Sequence, residues 1–272
     1  MNEENSNKET NVKATIDAVT GLAKAIPVYD DAIQPAAKEV GKSLVTVAKT
    51  VNIALSPIKA MVWGYERIEN FITKRVSEKL KNVPEENIVT PNPSIAGPAV
   101  EALRYVGHDE NLRELYANLL ASSMNKDTLE EAHPSYVDII KNLCSDEALL
   151  LKAFIKEITY PIVDIKLNSK SEKRIYKIVL RNFSVFTENL GLRSEEMTLS
   201  YIDNLCRLGI LKTRTTEYLS DLETYKEIEN HKEIEKLKKE TEEDYELEIV
   251  KGIIEITNFG GNFIKNVVDE KY

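Results

Sequence analysis

The chain has 272 residues, with 36 lysines and arginines against 45 aspartates and glutamates, and a formal net charge of -9. That length buries a substantial core in one large or two modest domains. Neither sign dominates, so broad attraction to nucleic acid or anionic lipid is disfavoured and such partners must rest on local patches. The two cysteines, Cys144 and Cys206, exclude a disulfide framework and a four-cysteine metal cluster and suit a reducing cytosol.

Residues 1–11, MNEENSNKETN, lack the basic and then apolar pattern of a signal peptide and read as a disordered tail. Residues 12–80 are rich in Ala, Val, Lys and Ile. Pro27, Pro35 and Pro57 divide them into several helices, because proline removes a donor and clashes with the preceding turn. The longest charge-free run, residues 50–58, is far short of the roughly 20 apolar residues that span a bilayer. Lys38, Lys42, Lys49, Asn52, Ser56 and Lys59 recur at steps of 4, 7, 3, 4 and 3. A continuous helix therefore carries them as a basic stripe opposite Val40, Leu44, Val47, Val51, Ala54, Leu55 and Ile58. Such a helix packs against a core, the commoner fate, or lies on a membrane. In the second case Lys42, Lys49, Lys59, Trp63 and Tyr65 form its membrane-facing rim.

Four prolines interrupt KNVPEENIVTPNPSIAGP, which places a linker over residues 81–95. A central helical unit follows over 96–143. Pro98 stands as a first helical residue, Ala99 to Val106 carry the helix and Gly107 stops it. Asp109 caps the next helix, whose buried face is Leu112, Leu115, Tyr116, Leu119 and Leu120. Thr128 and Glu131 have capping-box spacing, and His133 before Pro134 caps a third helix bearing Val137, Ile140 and Leu143.

From residue 144 the pattern changes. SDEALLLKAFIKEI predicts a helix with acids in its first turn, and PIVDIKLNSKSEKRIYKI is partly extended or loop. A helix ending at Leu208 or Gly209 leads to a strand at ILKT, and KGIIEIT is a return strand before a glycine pair and a last helical segment. Three helices followed by a strand and a return strand give a winged-helix-like domain over 144–272. Residues 221–248, with 12 acidic and 5 basic side chains, are expected as a solvated helical insertion between those strands. For DNA such a domain offers only Arg193, Arg207, Lys212 and Arg214, which serve equally as solubilising charges.

No motif carries catalytic chemistry. AAKEVGKS, residues 36–43, imitates the end of a phosphate-binding loop, but Ala36 replaces its first glycine and no strand precedes it. His108, His133 and His231 have no ligand spacing with each other or with the cysteines, so neither a metal nor a cofactor is expected. Cys144 and Cys206 read as small packing hydrophobes. The adjacent acid pairs are what 45 acidic residues produce by chance, and adjacent helical residues do not face each other.

The run from Asn92 to Lys152 closely resembles the centre of the bacterial Abi-alpha (abortive infection alpha) family. The resemblance rests on Gly97, Pro98, Glu101, Arg104 and Tyr105, then Leu112, Leu115, Tyr116, Leu119 and Leu120, then His133, Pro134, IIKNL, Asp146 and Glu147. It implies a defence protein acting against phage and brings no catalytic residues with it. The expectation is thus a mainly α protein with N-terminal amphipathic helices, a central helical unit and a C-terminal winged-helix-like α+β domain. Its expected role is non-enzymatic, the binding or sensing of another macromolecule, with a protein partner foremost. The alternatives are a membrane-perturbing effector and a DNA-binding regulator. The expected location is the cytoplasm, with peripheral contact at the inner face of the cell membrane as an option.

Overall fold

The computed structural model describes residues 49–53, 56, 66–172 and 175–270. It is mainly helical, with a mixed α+β region toward the C-terminus. Helix α1, Glu66–Lys79, buries Ile72 and Val76 and is followed by buried Leu80. Val51, on the apolar side of the expected amphipathic helix, is fully buried in the same core, while Lys49 is exposed. Charges also hold α1 down: Glu114 takes Arg75 at 2.8 Å and the buried Lys79 at 3.1 Å.

Helix α2, Pro93–Val106, begins five residues before the expected start. Asn92 is the cap, accepting from the Ser94 N–H at 3.0 Å, and Pro93 occupies the first turn where a missing N–H costs nothing. Pro98 therefore lies inside the helix, and the linker is shorter than residues 81–95. What remains of it is stitched to α3, with the Val89 N–H donating to the Met124 carbonyl at 2.8 Å.

Helix α3, Glu110–Met124, is capped by Asp109 as expected, with the Leu112 N–H 3.1 Å from its Oδ1. Leu112, Leu115, Tyr116, Leu119 and Leu120 are all buried. So are Asn118, Ser122 and Ser123, because the second half of α3 is covered on every side. Thr128 and Glu131 do not form a capping box. The Thr128 hydroxyl donates to the Ser122 carbonyl instead, and Glu131 is drawn to Lys265 at 2.7 Å. Helices α4, Ser135–Lys141, and α5, Ser145–Ala153, complete the bundle.

Four antiparallel strands follow: β1 Thr159–Ser169, β2 Tyr176–Phe183, β3 Leu211–Arg214 and β4 Tyr245–Ile256, in the order β2-β1-β4-β3. The segment read as partly extended or loop is thus a hairpin of two strands. Helix α6, Thr198–Arg207, ends at Leu208 with Gly209 at φ 74°, where glycine is free of Cβ strain. One sheet face sends Ile162 and Ile254 into the large core beside Ile202 and Leu205 of α6. The other face sends Val163 and Ile165 into a second core.

That second core corrects the solvated insertion. The insertion is helical only in part, with α7 Lys226–Glu229 and α8 Lys232–Glu240; from Tyr245 it is already β4, and Tyr225, Ile228 and Ile234 are fully buried against the sheet. Its charges face outward, and its apolar residues come from separate short elements: Tyr225 just before α7, Ile228 within it, and Ile234 and Leu237 three residues apart on α8. The Tyr225 hydroxyl donates to the Gly252 carbonyl at 2.8 Å and accepts from the Leu219 N–H at 3.0 Å. Tyr225→Phe should therefore lower stability by about 1–2 kcal/mol, read from urea unfolding, because two buried backbone groups lose their partner. A change within error would show that water replaces the hydroxyl.

The chain closes on itself. Helix α9, Asn258–Phe263, runs into a π turn, Ile264–Val268, which lies on α3. There the Asn118 Nδ2 donates to the Val267 carbonyl and the Ser122 Oγ to the Asn266 carbonyl, both at 2.8 Å.

Candidate interaction surface

A polar network joins α5 to α6. Cys144 is the N-cap of α5, and its N–H donates to Glu147 Oε2 at 2.7 Å. The other Glu147 oxygen accepts from Asn204 Nδ2 at 2.7 Å. Asp146 is buried and receives the Arg193 and Ser194 N–H groups at 3.0 Å and the Tyr201 hydroxyl at 3.1 Å. Burial alone would raise its pKa, but those donors outweigh it and hold the carboxyl below its ordinary value. Tyr201 is pushed up to about 12 by burial and by the Asp146 charge. All of this fixes α6 and the loop before it; none of it leaves a nucleophile activated.

Cys144 corrects the packing expectation, since a cap residue stands at the solvent edge of its helix and its thiol is exposed. The part of the sulfur that packs against the helix start is desolvated, and with the nearby Glu147 charge this raises the thiol pKa and opposes thiolate formation. Cys206 is half-buried against the large core, and burial pushes its thiol up to about 11. His133 Nδ1 accepts from the Ser135 N–H at 3.1 Å, but the cap position of α4 falls on Pro134, one residue later than expected, and carries no side-chain cap. His231 Nδ1 caps α8 while its Nε2 faces Glu188 at 2.9 Å. Among the described residues no group of three or more His, Cys, Asp or Glu side chains could hold a metal ion.

Of the four residues considered for DNA, Arg207, Lys212 and Arg214 have side-chain partners within the chain. The main chain of Arg193 is held by Asp146. Arg207 donates through Nη2 to Asn204 Oδ1 at 2.6 Å. Lys212 and Arg214 meet on one acid, Glu255, at 3.1 and 2.6 Å, and Arg214 also reaches Glu217 at 2.7 Å. Burial works against ionising Glu255, but the two cations hold its carboxyl below the usual range. Of the residues considered for a membrane rim, Lys49 is exposed, and Lys42, Lys59, Trp63 and Tyr65 lie outside the described residues. Among the described residues no helix is long and apolar enough to cross a membrane.

A surface that sequence reasoning missed lies on the β1–β2 hairpin. Between Lys166 and Arg181 there are six basic residues and one acid, against a chain at -9. β2 is an outer strand of the sheet, and a cleft of about 290 Å³ runs between it and α6, lined by Ile178, Val179, Leu180, Arg181, Asn182, Leu199 and Asp203. Asn182 bends the end of β2 with φ 51°, and its N–H is tied to buried Asp164 at 2.8 Å. Ile175 and Tyr176 are 54% and 58% exposed at the hairpin end. The clustered basic residues were the available signal; they passed unnoticed because the segment reads as a polar loop.

The described residues thus join a helical bundle, with the π turn after α9 lying on α3, to a small antiparallel sheet whose outer strand β2 carries exposed basic residues. The match to a family profile is specific: the chain belongs to the abortive infection alpha family, whose profile covers residues 64–267. That membership supports a role in defence against phage. No curated protein and no solved structure matches the chain.

Proposed function

We propose that this protein is a non-enzymatic component of phage defence that acts by binding another macromolecule, and that the partner is a protein. One contrast carries the choice of partner. The basic residues around α6 and β3 are engaged within the chain by Asn204, Glu255 and Glu217, whereas β2 offers an open edge beside exposed apolar side chains. We read α5, α6 and the β3–β4 pair as a winged-helix-like unit into which the β1–β2 hairpin is inserted. Fold alone does not choose between nucleic acid and protein for such a unit.

The test is plaque formation and host growth with inducible full-length protein at low and high phage dose. Fewer plaques, with infected hosts lost at high dose, is the expected result. Undiminished plaques from a well-expressed protein would sink the defence role in that host. Protection that coincides with loss of membrane potential and disappears when Lys42, Lys49 and Lys59 are changed to glutamate would favour a membrane effector instead.

A further inference from the structure

Resting on the partner-binding role above, we propose that β2 is a docking strand. An extended acidic segment of a partner protein adds to the open edge as a fifth strand and seats an apolar side chain in the cleft between β2 and α6.

The backbone supports strand addition first. The Ser169 N–H donates to the carbonyl of Ile175, the residue just before β2, at 3.0 Å, and Lys177, two residues further on, lies opposite Leu167. In an antiparallel ladder this turns the backbone of Ile175 and Lys177 toward β1 and that of Tyr176 and Ile178 outward. Outward N–H and C=O groups on a terminal strand are a template for another strand.

The side chains then select what binds. Lys177 and Arg181 are exposed and form no ion pair among the described residues. Lys166 lies 5.4 Å over the ring of Tyr176, which adds cationic character beside an exposed aromatic. A second copy of this chain pairing β2 to β2 would bring like charges together, which disfavours it. Nucleic acid is disfavoured because an outward strand edge alternates N–H donors with carbonyl acceptors, and a phosphate backbone accepts from the N–H groups but has no donors for the carbonyls. Lysines on an edge strand also serve simply to block aggregation. A purely blocking edge, however, has no need of exposed Ile175 and Tyr176 beside a cleft whose lining mixes Ile178, Leu180 and Leu199 with Arg181, Asn182 and Asp203.

The probe is a labelled peptide of about ten residues that alternates glutamate with valine and phenylalanine, a length that covers one strand. It is titrated into the full-length protein by fluorescence anisotropy, beside a counterpart with lysine for glutamate and single- and double-stranded DNA. The acidic peptide should bind, and amide hydrogen exchange should slow at Tyr176 and Ile178. Lys177→Glu with Arg181→Glu should weaken binding about ten-fold or more, since two exposed charges are reversed. Tyr176→Pro should remove one outward donor and weaken binding with the charge intact. Both variants are checked for unchanged thermal unfolding.

Equal binding of the lysine peptide, no binding of the acidic one, or binding without protection at Tyr176 and Ile178 would overturn the docking strand. So would DNA binding that is lost in the charge-reversed variant while the acidic peptide stays free. In the plaque assay, a charge-reversed variant that protects as well as the parent sinks the docking strand and leaves the defence role standing. Failure of the parent to protect sinks the defence role itself, whatever the peptide does.

Discussion

Gly260→Val should destabilise the protein by about 4 kcal/mol or more, a large share of the roughly 5–15 kcal/mol that holds an ordinary domain folded. A Cβ at this position would overlap the Ile210 carbonyl oxygen, lie 2.9 Å from the Ile210 carbonyl carbon and 3.0 Å from Ile256 Cγ1. The first two are backbone atoms at the entry to β3 and have no rotamer to yield. That same carbonyl accepts the Thr257 N–H at 3.0 Å, and the Gly260 N–H donates to Thr257 Oγ1 at 2.8 Å, so the approach is held from both sides. If α9 is pushed away, the π turn leaves α3, and Asn118 and Ser122 lose the carbonyls they bind. The neighbouring glycine is the control. A Cβ at Gly261 meets nothing within 4 Å, so Gly261→Ala should be neutral or stabilising by up to about 1 kcal/mol through helix propensity. Urea unfolding of both variants decides it; similar midpoints would show that β3 and α9 move apart freely.

The two glycines sit side by side in NFGGNF, and nothing in that string tells them apart; only the register of α9 against β3 does. The same division runs through the molecule. Elements with local chemistry were legible: Asp109 as a cap, the Leu112 to Leu120 face, the stop at Gly209, and the strands at ILKT and KGIIEIT. Elements settled by competition between local signals were not. Pro98 looked like a helix start because proline suits a first turn, but Asn92 and Pro93 offered a cap and a first-turn proline together. Thr128 and Glu131 had capping spacing, and tertiary partners took both. Charge dominates the string at 221–248, and its few apolar residues, Tyr225, Ile228, Ile234 and Leu237, keep no single helical period; they meet on the sheet only because the chain turns between α7 and α8. The hairpin edge was hidden for a related reason. Its basic residues are spread over two strands and a turn, and they become a patch only once β1 and β2 pair.

Asp146→Ala should cost about 3–5 kcal/mol at neutral pH, the other large effect expected for a single side chain. The carboxylate is 4% exposed and is the shared acceptor for two consecutive backbone N–H groups and a tyrosine hydroxyl. Removing it leaves three donors without that acceptor at the junction of α5, α6 and the loop between β2 and α6. Asp146→Asn should be nearly as damaging, because an amide turns one acceptor into a donor facing other donors. The pH dependence separates this from simple loss of packing. Burial raises the pKa of Asp146, and the donors from Arg193, Ser194 and Tyr201 more than reverse it, so the folded value lies below the unfolded one of about 3.9. A depressed carboxylate contributes stability that is complete above the unfolded pKa and is lost as pH falls through the folded pKa. The gap between parent and Asp146→Asn should therefore be full at pH 7 and narrow on acidification below about pH 4. Tyr201→Phe, which removes one donor of the three, should cost about 1 kcal/mol and leave most of that pH dependence in place. A gap that stayed constant across this range would mean that shape, not charge-assisted hydrogen bonding, is what Asp146 supplies to the junction between the two helices.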